Sequence, residues 1–108
     1  MKFLKDLRVV SENAVLRICS HLRINNEYAM SVQASELHYC RPRALLPIQE
    51  YTHFEMAIVY NGQLTSNTNI IIEFPRLDEL LYCFDGSVFH EVPKDLIEDL
   101  YTWWLLQQ

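Results

Sequence analysis

The sequence has few of the residues on which loop-rich, fibrous or disulfide-stabilised proteins depend. Its 108 residues include only two glycines and four prolines, which excludes collagen-like and low-complexity chains. The three cysteines are odd in number, widely spaced and without a CxxC motif, so no disulfide framework is expected and a reducing cytoplasm is the predicted location. No stretch approaches the roughly 20 apolar residues that a membrane-spanning helix needs, and no membrane partner is predicted.

The familiar cofactor and catalytic motifs are missing as well. No GxGxxG, P-loop, HExxH or nucleophile-elbow pattern occurs, so neither a cofactor nor a catalytic residue is predicted. Hydrophobic residues make up 50% of the chain, too many for a disordered protein. A chain of this length can bury roughly 65% of the surface that its unfolded form exposes. We therefore expect one globular domain over residues 1–108.

The charge is negative and unevenly distributed. Nine basic and fourteen acidic residues give a formal charge of −5, which disfavours direct binding to nucleic acid. Residues 1–43 carry seven basic and four acidic side chains, whereas residues 44–108 carry two basic and ten acidic ones. This asymmetry predicts either that the two halves pack against each other or that an acidic surface faces a partner.

Hydrophobic periodicity predicts the elements of the first two thirds of the chain. An apolar arc with Ser11 as its N-cap predicts a helix over residues 11–23. Alternation with a period of two predicts strands at 28–34 and 52–60, and the Asn-Gly pair at 61–62 predicts a tight hairpin. The apolar run at 70–74 predicts a buried strand.

The remaining elements complete an α+β prediction. Leucines at helical spacing predict a helix over 77–84 with Gly86 as its C-cap, and residues 87–92 predict a short strand. Pro93 is placed to open a final helix. The expected fold is an antiparallel sheet of three to five strands, packed by an N-terminal helix and two C-terminal helices.

Two short motifs combine metal-ligating and nucleophilic side chains. His38-x-Cys40 and His53-x-Glu55 each place two such side chains on one face of a strand. If the two strands are antiparallel neighbours, the four side chains could converge on zinc, or Cys40 could act as a nucleophile beside a histidine base. Scattered polar residues on a half-exposed sheet are the simpler interpretation.

The C-terminal half combines carboxylates with large aromatic side chains. Such carboxylates could imitate a row of phosphates toward the basic channel of a nucleic-acid enzyme, although the polar face of a helix is ordinarily just solvated. Tyr101, Trp103 and Trp104 are candidate anchors, with at least one tryptophan expected in the core. The C-terminal carboxylates of this prediction are Asp78, Glu79, Asp85, Glu91, Asp95, Glu98 and Asp99.

Four segments of the sequence carry a resemblance to other proteins: MSVQAS at 30–35, HYCRPR at 38–43, YTHFE at 51–55 and VFHEVP at 88–93. Together they resemble small uncharacterised proteins that bacteriophages and other mobile elements encode. The resemblance implies no active site. It implies a small, acidic, cytosolic accessory protein of a phage or its host, a setting in which anti-CRISPR and other anti-defence inhibitors occur.

Three hypotheses follow from the sequence. The first is a non-enzymatic phage-type protein that binds and inhibits a host nucleic-acid-processing complex, such as a CRISPR effector or a nuclease, through an acidic surface. The second is a metal-binding or cysteine enzyme centred on His38, Cys40, His53 and Glu55. The third is a structural or regulatory module that forms a homodimer through the C-terminal helix.

Overall fold

The computed structural model describes residues 1–108 and has an α+β architecture. Three helices are α1 (Lys2–Asp6), α2 (Leu77–Tyr82) and α3 (Lys94–Leu106). Seven strands are β1 (Val9–Glu12), β2 (Arg17–Cys19), β3 (Leu22–Arg23), β4 (Tyr28–Gln33), β5 (His53–Tyr60), β6 (Gln63–Thr65) and β7 (Phe89–Pro93). No helix is both long and apolar enough to span a membrane.

A five-stranded antiparallel sheet is built around β5. Strand β4 pairs along one edge of β5, from Tyr28 opposite Tyr60 to Gln33 opposite Glu55. The other edge of β5 is shared, since β6 pairs with its C-terminal part and β7 with its N-terminal part. Strand β3 pairs with β4, while β1 and β2 form a separate hairpin. The sheet therefore has a His53 end and a Tyr60 end, named after the two ends of β5.

The helices cover one face of this sheet. Met30 and Ile58 are register partners on that face and are fully buried, as the period-two pattern predicted. The ring of Phe3 on α1 meets Phe54 edge-on, with centroids 5.5 Å apart. Most of the apolar face of α3 is buried in the same core: Leu96, Ile97, Leu100, Tyr101 and Trp104.

The hairpin between β5 and β6 confirms the turn predicted from the Asn-Gly pair. Asn61 has φ 49° and Gly62 has φ 82°, so both central residues adopt the left-handed conformation of a type I′ turn. Tyr60 and Gln63 pair directly across it. The turn fixes the register at the Tyr60 end.

The predicted helix over residues 11–23 is wrong, because this segment forms β1, β2 and β3. The Asn13 side chain accepts hydrogen bonds from the N–H groups two and three residues further on, which turns the chain back instead of starting a helix. The Gln33 side-chain amide then donates to the Cys19 carbonyl and accepts its N–H, at 3.0 and 2.8 Å. Tertiary pairing thus overrides the local helical pattern.

The predicted strand at 70–74 is also wrong, because a 3-10 turn spans Asn69–Ile71 and further turns follow it. Ile71 and Phe74, three residues apart, are buried, whereas Ile70 and Ile72 are exposed. A spacing of three is the period of a 3-10 helix, in which side chains at i and i+3 lie in line. The apolar run therefore forms turns and not a strand, and it contributes Ile71 and Phe74 to the core.

The C-terminal elements follow the prediction with two local differences. Helix α2 ends with Cys83 as its C-cap, and Gly86, at φ 97°, lies in the next turn, which Asp85 organises. Pro93 is the N-cap of α3 and not its first residue. Both differences shift an element boundary and leave the order of elements intact.

Candidate protein-binding groove

Three of the C-terminal carboxylates share one guanidinium group. Arg76 donates to Glu79 at 2.7 Å, to Asp99 at 2.5 Å and to Asp95 at 3.2 Å. Hydrogen bonds to Glu79 and Asp99 raise the pKa of Arg76, and the bond from Arg76 lowers the pKa of Glu79. These carboxylates are held as a network on the surface, so each is only partly available to an outside cation.

Glu98 has a different internal role at the start of the chain. Its two carboxylate oxygens accept the backbone N–H groups of Lys2 and Phe3, both at 3.0 Å. These are orphan donors of the first turn of α1, which the helix cannot satisfy by itself. Glu98 therefore ties α1 to α3.

Asp85 and Glu91 are committed at the His53 end of the sheet. Asp85 accepts the backbone N–H groups of residues 87 and 88, which lowers its pKa, and lies 2.6 Å from Nε2 of His90. Glu91 pairs with Arg41, and this bond lowers the pKa of Glu91. Among the C-terminal carboxylates only Asp78 has no hydrogen-bond or ion-pair partner, so the predicted acidic surface is largely paired internally.

The loop between β4 and β5 holds His38 and Cys40 in a buried hydrogen-bond network. Ser35 Oγ lies 2.7 Å from His38 Nδ1, and the Cys40 thiol donates to the Ser35 carbonyl at 3.2 Å. Burial lowers the pKa of His38 and raises the pKa of Cys40, so the neutral forms of both are favoured. This arrangement shapes the loop and leaves the thiol turned inward.

The side chains of His53 and Glu55 form no hydrogen bond with those of Ser35, His38 or Cys40. His53 Nδ1 is 2.7 Å from the Thr52 hydroxyl, and Glu55 accepts the N–H of Tyr39 at 3.4 Å. No three His, Cys, Asp or Glu side chains in the molecule are grouped so that they could hold a metal ion. The two motifs thus meet at neighbouring positions without a shared ligand geometry.

Aromatic contacts complete the internal pairing of the His53 end. The Tyr39 ring stacks on His90 with centroids 3.9 Å apart, and the Arg43 guanidinium lies 5.1 Å from the Tyr39 ring on this loop. The sequence analysis assigned His90 no role in a site. No local signal links Tyr39 to a residue more than fifty positions away.

The three candidate anchors of α3 differ in burial. Trp104 is 2% exposed and Tyr101 is 4% exposed, with the Tyr101 hydroxyl donating to Asp6 at 2.7 Å. Burial, reinforced by that carboxylate, raises the pKa of Tyr101. Trp103 is only half-buried, with its ring 5.5 Å from Phe74. Trp103 is therefore the anchor that a partner can reach.

A groove of about 360 Å³ opens beside Trp103 at the Tyr60 end of the sheet. Its apolar wall includes Tyr28, Ile70, Trp103 and Trp104. Glu27 and Glu73 line the same groove, are exposed, and form no ion pair or hydrogen bond through their carboxylates. We call this feature the Trp103 groove.

The two free carboxylates of the Trp103 groove lie outside the set that sequence analysis selected. Glu27 belongs to the turn between β3 and β4, and Glu73 follows the 3-10 turn. Folding brings them to one cavity from positions 46 residues apart, and no motif marks either residue. No protein-family model, curated protein or solved structure matches this chain, so these comparisons assign it no function.

Proposed function

We propose that this chain is a non-enzymatic binding protein whose Trp103 groove receives a basic segment of another protein. The proposal depends on one observation: Glu27 and Glu73, two carboxylates without partners in the protein, lie beside the accessible indole of Trp103. In contrast, six of the seven C-terminal carboxylates already have partners within the chain.

A lysine or arginine side chain fits the chemistry of this groove. Its aliphatic stem would pack on Trp103 and Ile70, while its charged end would meet Glu27 and Glu73. A cation near the face of an indole gains a further electrostatic attraction. The net charge of −5 adds long-range attraction for a basic partner and repulsion for nucleic acid.

The partner class that we propose is a host nucleic-acid-processing complex. Enzymes of this kind present lysine and arginine channels that neutralise phosphates, so they carry the basic segments that the groove would accept. The resemblance to phage-encoded proteins supports the same class. The protein would act in the cytoplasm as an anti-CRISPR-like inhibitor, occluding the channel of a CRISPR effector or another nuclease.

Affinity capture with matched variants tests the proposal. Tagged wild type, Trp103→Ala, E27Q/E73Q and the control E36Q/E50Q serve as baits in host lysate at about 50 and about 200 mM salt. The control removes two exposed, unpaired carboxylates outside the groove and changes the net charge equally. We expect a nucleic-acid-binding protein on wild type and control, reduced about tenfold or more on the other two baits, and released by the higher salt.

Three results would overturn this function. A partner that binds all four baits equally does not use the groove. A partner that resists the higher salt is not held by charge. A captured protein without a basic surface contradicts the proposed partner class. Because Trp103→Ala also removes a contact with Phe74, thermal melting of each bait confirms that the compared proteins are folded.

Self-association through α3 is the second candidate. Leu106 is 82% exposed, and with Trp103 and Phe74 it lines a separate cavity of about 290 Å³. An exposed leucine beside a half-buried tryptophan suits an interface between two copies. Light scattering should show a dimer at high concentration that Leu106→Asp converts to a monomer. A wild-type monomer at every concentration would eliminate this candidate.

A further inference from the structure

Arg23 differs from the other arginines of the chain in having no acceptor for its guanidinium. Arg17, Arg41 and Arg76 form ion pairs, while Arg8 and Arg43 donate to backbone carbonyls. Arg23 forms neither kind of contact, although the chain holds five more acidic than basic residues. A guanidinium left free in such an excess of carboxylates is available to an external anion.

A groove of about 240 Å³ surrounds Arg23 on the sheet face opposite the helices. Arg23, Ala29 and Val59 are register partners across β3, β4 and β5, so their side chains project from the same face. The small side chain of Ala29 leaves space beside the long side chain of Arg23. We call this feature the Arg23 groove; Asn25, Glu27 and Tyr28 line both this groove and the Trp103 groove, whereas Arg23 lines only this one.

Further uncommitted polar groups line the Arg23 groove. The side chains of His21, Asn26 and Asn61 contribute to its wall, and none of them forms a hydrogen bond within the protein. Amides and imidazole are hydrogen-bond donors of the kind that accompany arginine around oxyanions. Together these donors outnumber the two oxygens of a carboxylate and suit the three terminal oxygens of a phosphate monoester.

We infer that the Arg23 groove binds a small phosphate monoester, with the phosphate on Arg23 and the apolar part of the ligand over Ala29. Arginine binds phosphate through two parallel N–H···O bonds. Glu27 also lines the groove, and its negative charge repels a polyanion such as a nucleic-acid backbone more strongly than a single phosphate group. The inference does not depend on the proposed partner of the Trp103 groove.

Titration of ¹⁵N-labelled protein with phenyl phosphate, inorganic phosphate and acetate tests the inference. We expect saturable shifts of the Ala29, Val59 and Gly62 amides, with phenyl phosphate binding more tightly than inorganic phosphate and acetate binding weakest. Arg23→Gln should weaken phenyl phosphate binding about tenfold or more, the loss of one charge-assisted pair. Arg43→Gln is the matched control, since it removes an exposed arginine at the His53 end.

The outcomes separate cleanly. Absence of saturable shifts overturns the site, as does binding that Arg23→Gln leaves unchanged or that Arg43→Gln removes equally. Acetate binding as tight as that of phenyl phosphate overturns the phosphate assignment. Because Arg23 is exposed and its side chain has no partner, the variant spectrum should otherwise superimpose on that of wild type.

Discussion

The two ends of the sheet use polar side chains in opposite ways. At the His53 end, Arg41 pairs with Glu91, Tyr39 stacks on His90, and His38 is enclosed by its own loop. At the Tyr60 end, Glu27, Glu73 and Arg23 have no partner and line open grooves. At the His53 end, charged side chains pair with each other and hold a long loop in place. At the Tyr60 end, charged side chains remain free to bind a partner.

This difference shows why acidic residues should be judged by their partners. A carboxylate that accepts two N–H groups or shares a guanidinium gives up little of that stabilisation to an incoming cation. A free carboxylate beside an apolar wall gives up no contact within the protein when it binds a cation. The Tyr60 end is therefore the better candidate for recognition, although the C-terminal carboxylates are more numerous.

Matched tyrosine substitutions at the two ends should show the largest contrast. Tyr51 is fully buried next to β5, and its hydroxyl donates to the Ala44 carbonyl and accepts the Leu46 N–H. Tyr51→Phe leaves both groups without their partner, so we expect a loss of about 2 kcal/mol in the free energy of unfolding. Tyr60 is 41% exposed and its hydroxyl has no partner, so Tyr60→Phe should change that free energy by less than about 0.5 kcal/mol.

Urea denaturation of both variants, followed by circular dichroism, measures this contrast. The slope of each transition should match wild type, since neither change alters the surface exposed on unfolding. Equal losses from the two variants would mean that the ends are equally committed to stability. That result would remove the distinction on which the choice of groove depends.

The same contrast explains which elements the sequence could predict. The strands β4 and β5 and the hairpin between β5 and β6 depend on local features, namely alternation and an Asn-Gly pair that tolerates positive φ. The segment at 11–23 depends on Gln33, fourteen residues beyond Cys19, whose side chain pairs with that backbone. A local helical pattern carries no information about such a partner.

The site was predictable only in part, for the same reason. The sequence correctly placed at least one tryptophan of α3 in the core, which Trp104 confirms. It could not show that Arg76 reaches Asp99 23 residues away or that Arg41 reaches Glu91 50 residues away. A charged side chain can be called unpaired only when every contact in the folded protein is known, so Glu27 and Glu73 are recognised only from the structure.

The buried histidine of the His53 end should make stability depend on pH. Burial lowers the pKa of His38 below its ordinary value of 6.5, with Glu55 opposing and Arg43 reinforcing the shift. The unfolded chain then binds a proton that the folded protein resists, so stability is complete above about pH 6.5 and falls as the pH drops below it. Burial also lowers the pKa of His53.

Thermal or urea unfolding between about pH 7.5 and pH 5.5 tests this dependence. One histidine contributes at most about 1.4 kcal/mol per pH unit, so His38→Gln should reduce the slope by less than that amount. An unchanged slope in His38→Gln would mean that the loop accepts the charged imidazole. The carboxylates with lowered pKa titrate at more acidic pH and do not obscure this window.

Neutralising the free carboxylates should have the smallest effect on stability. Glu27 and Glu73 are exposed and have no internal partner, so E27Q/E73Q should change the free energy of unfolding by less than about 0.5 kcal/mol. Removing two negative charges from a chain with a net charge of −5 should relieve some repulsion. We therefore expect a slight gain in the free energy of unfolding and not a loss. A clear loss in urea denaturation would mean that these side chains support the fold. Stability that is unchanged while partner capture fails would assign them to recognition, since no folding defect could then explain the lost binding.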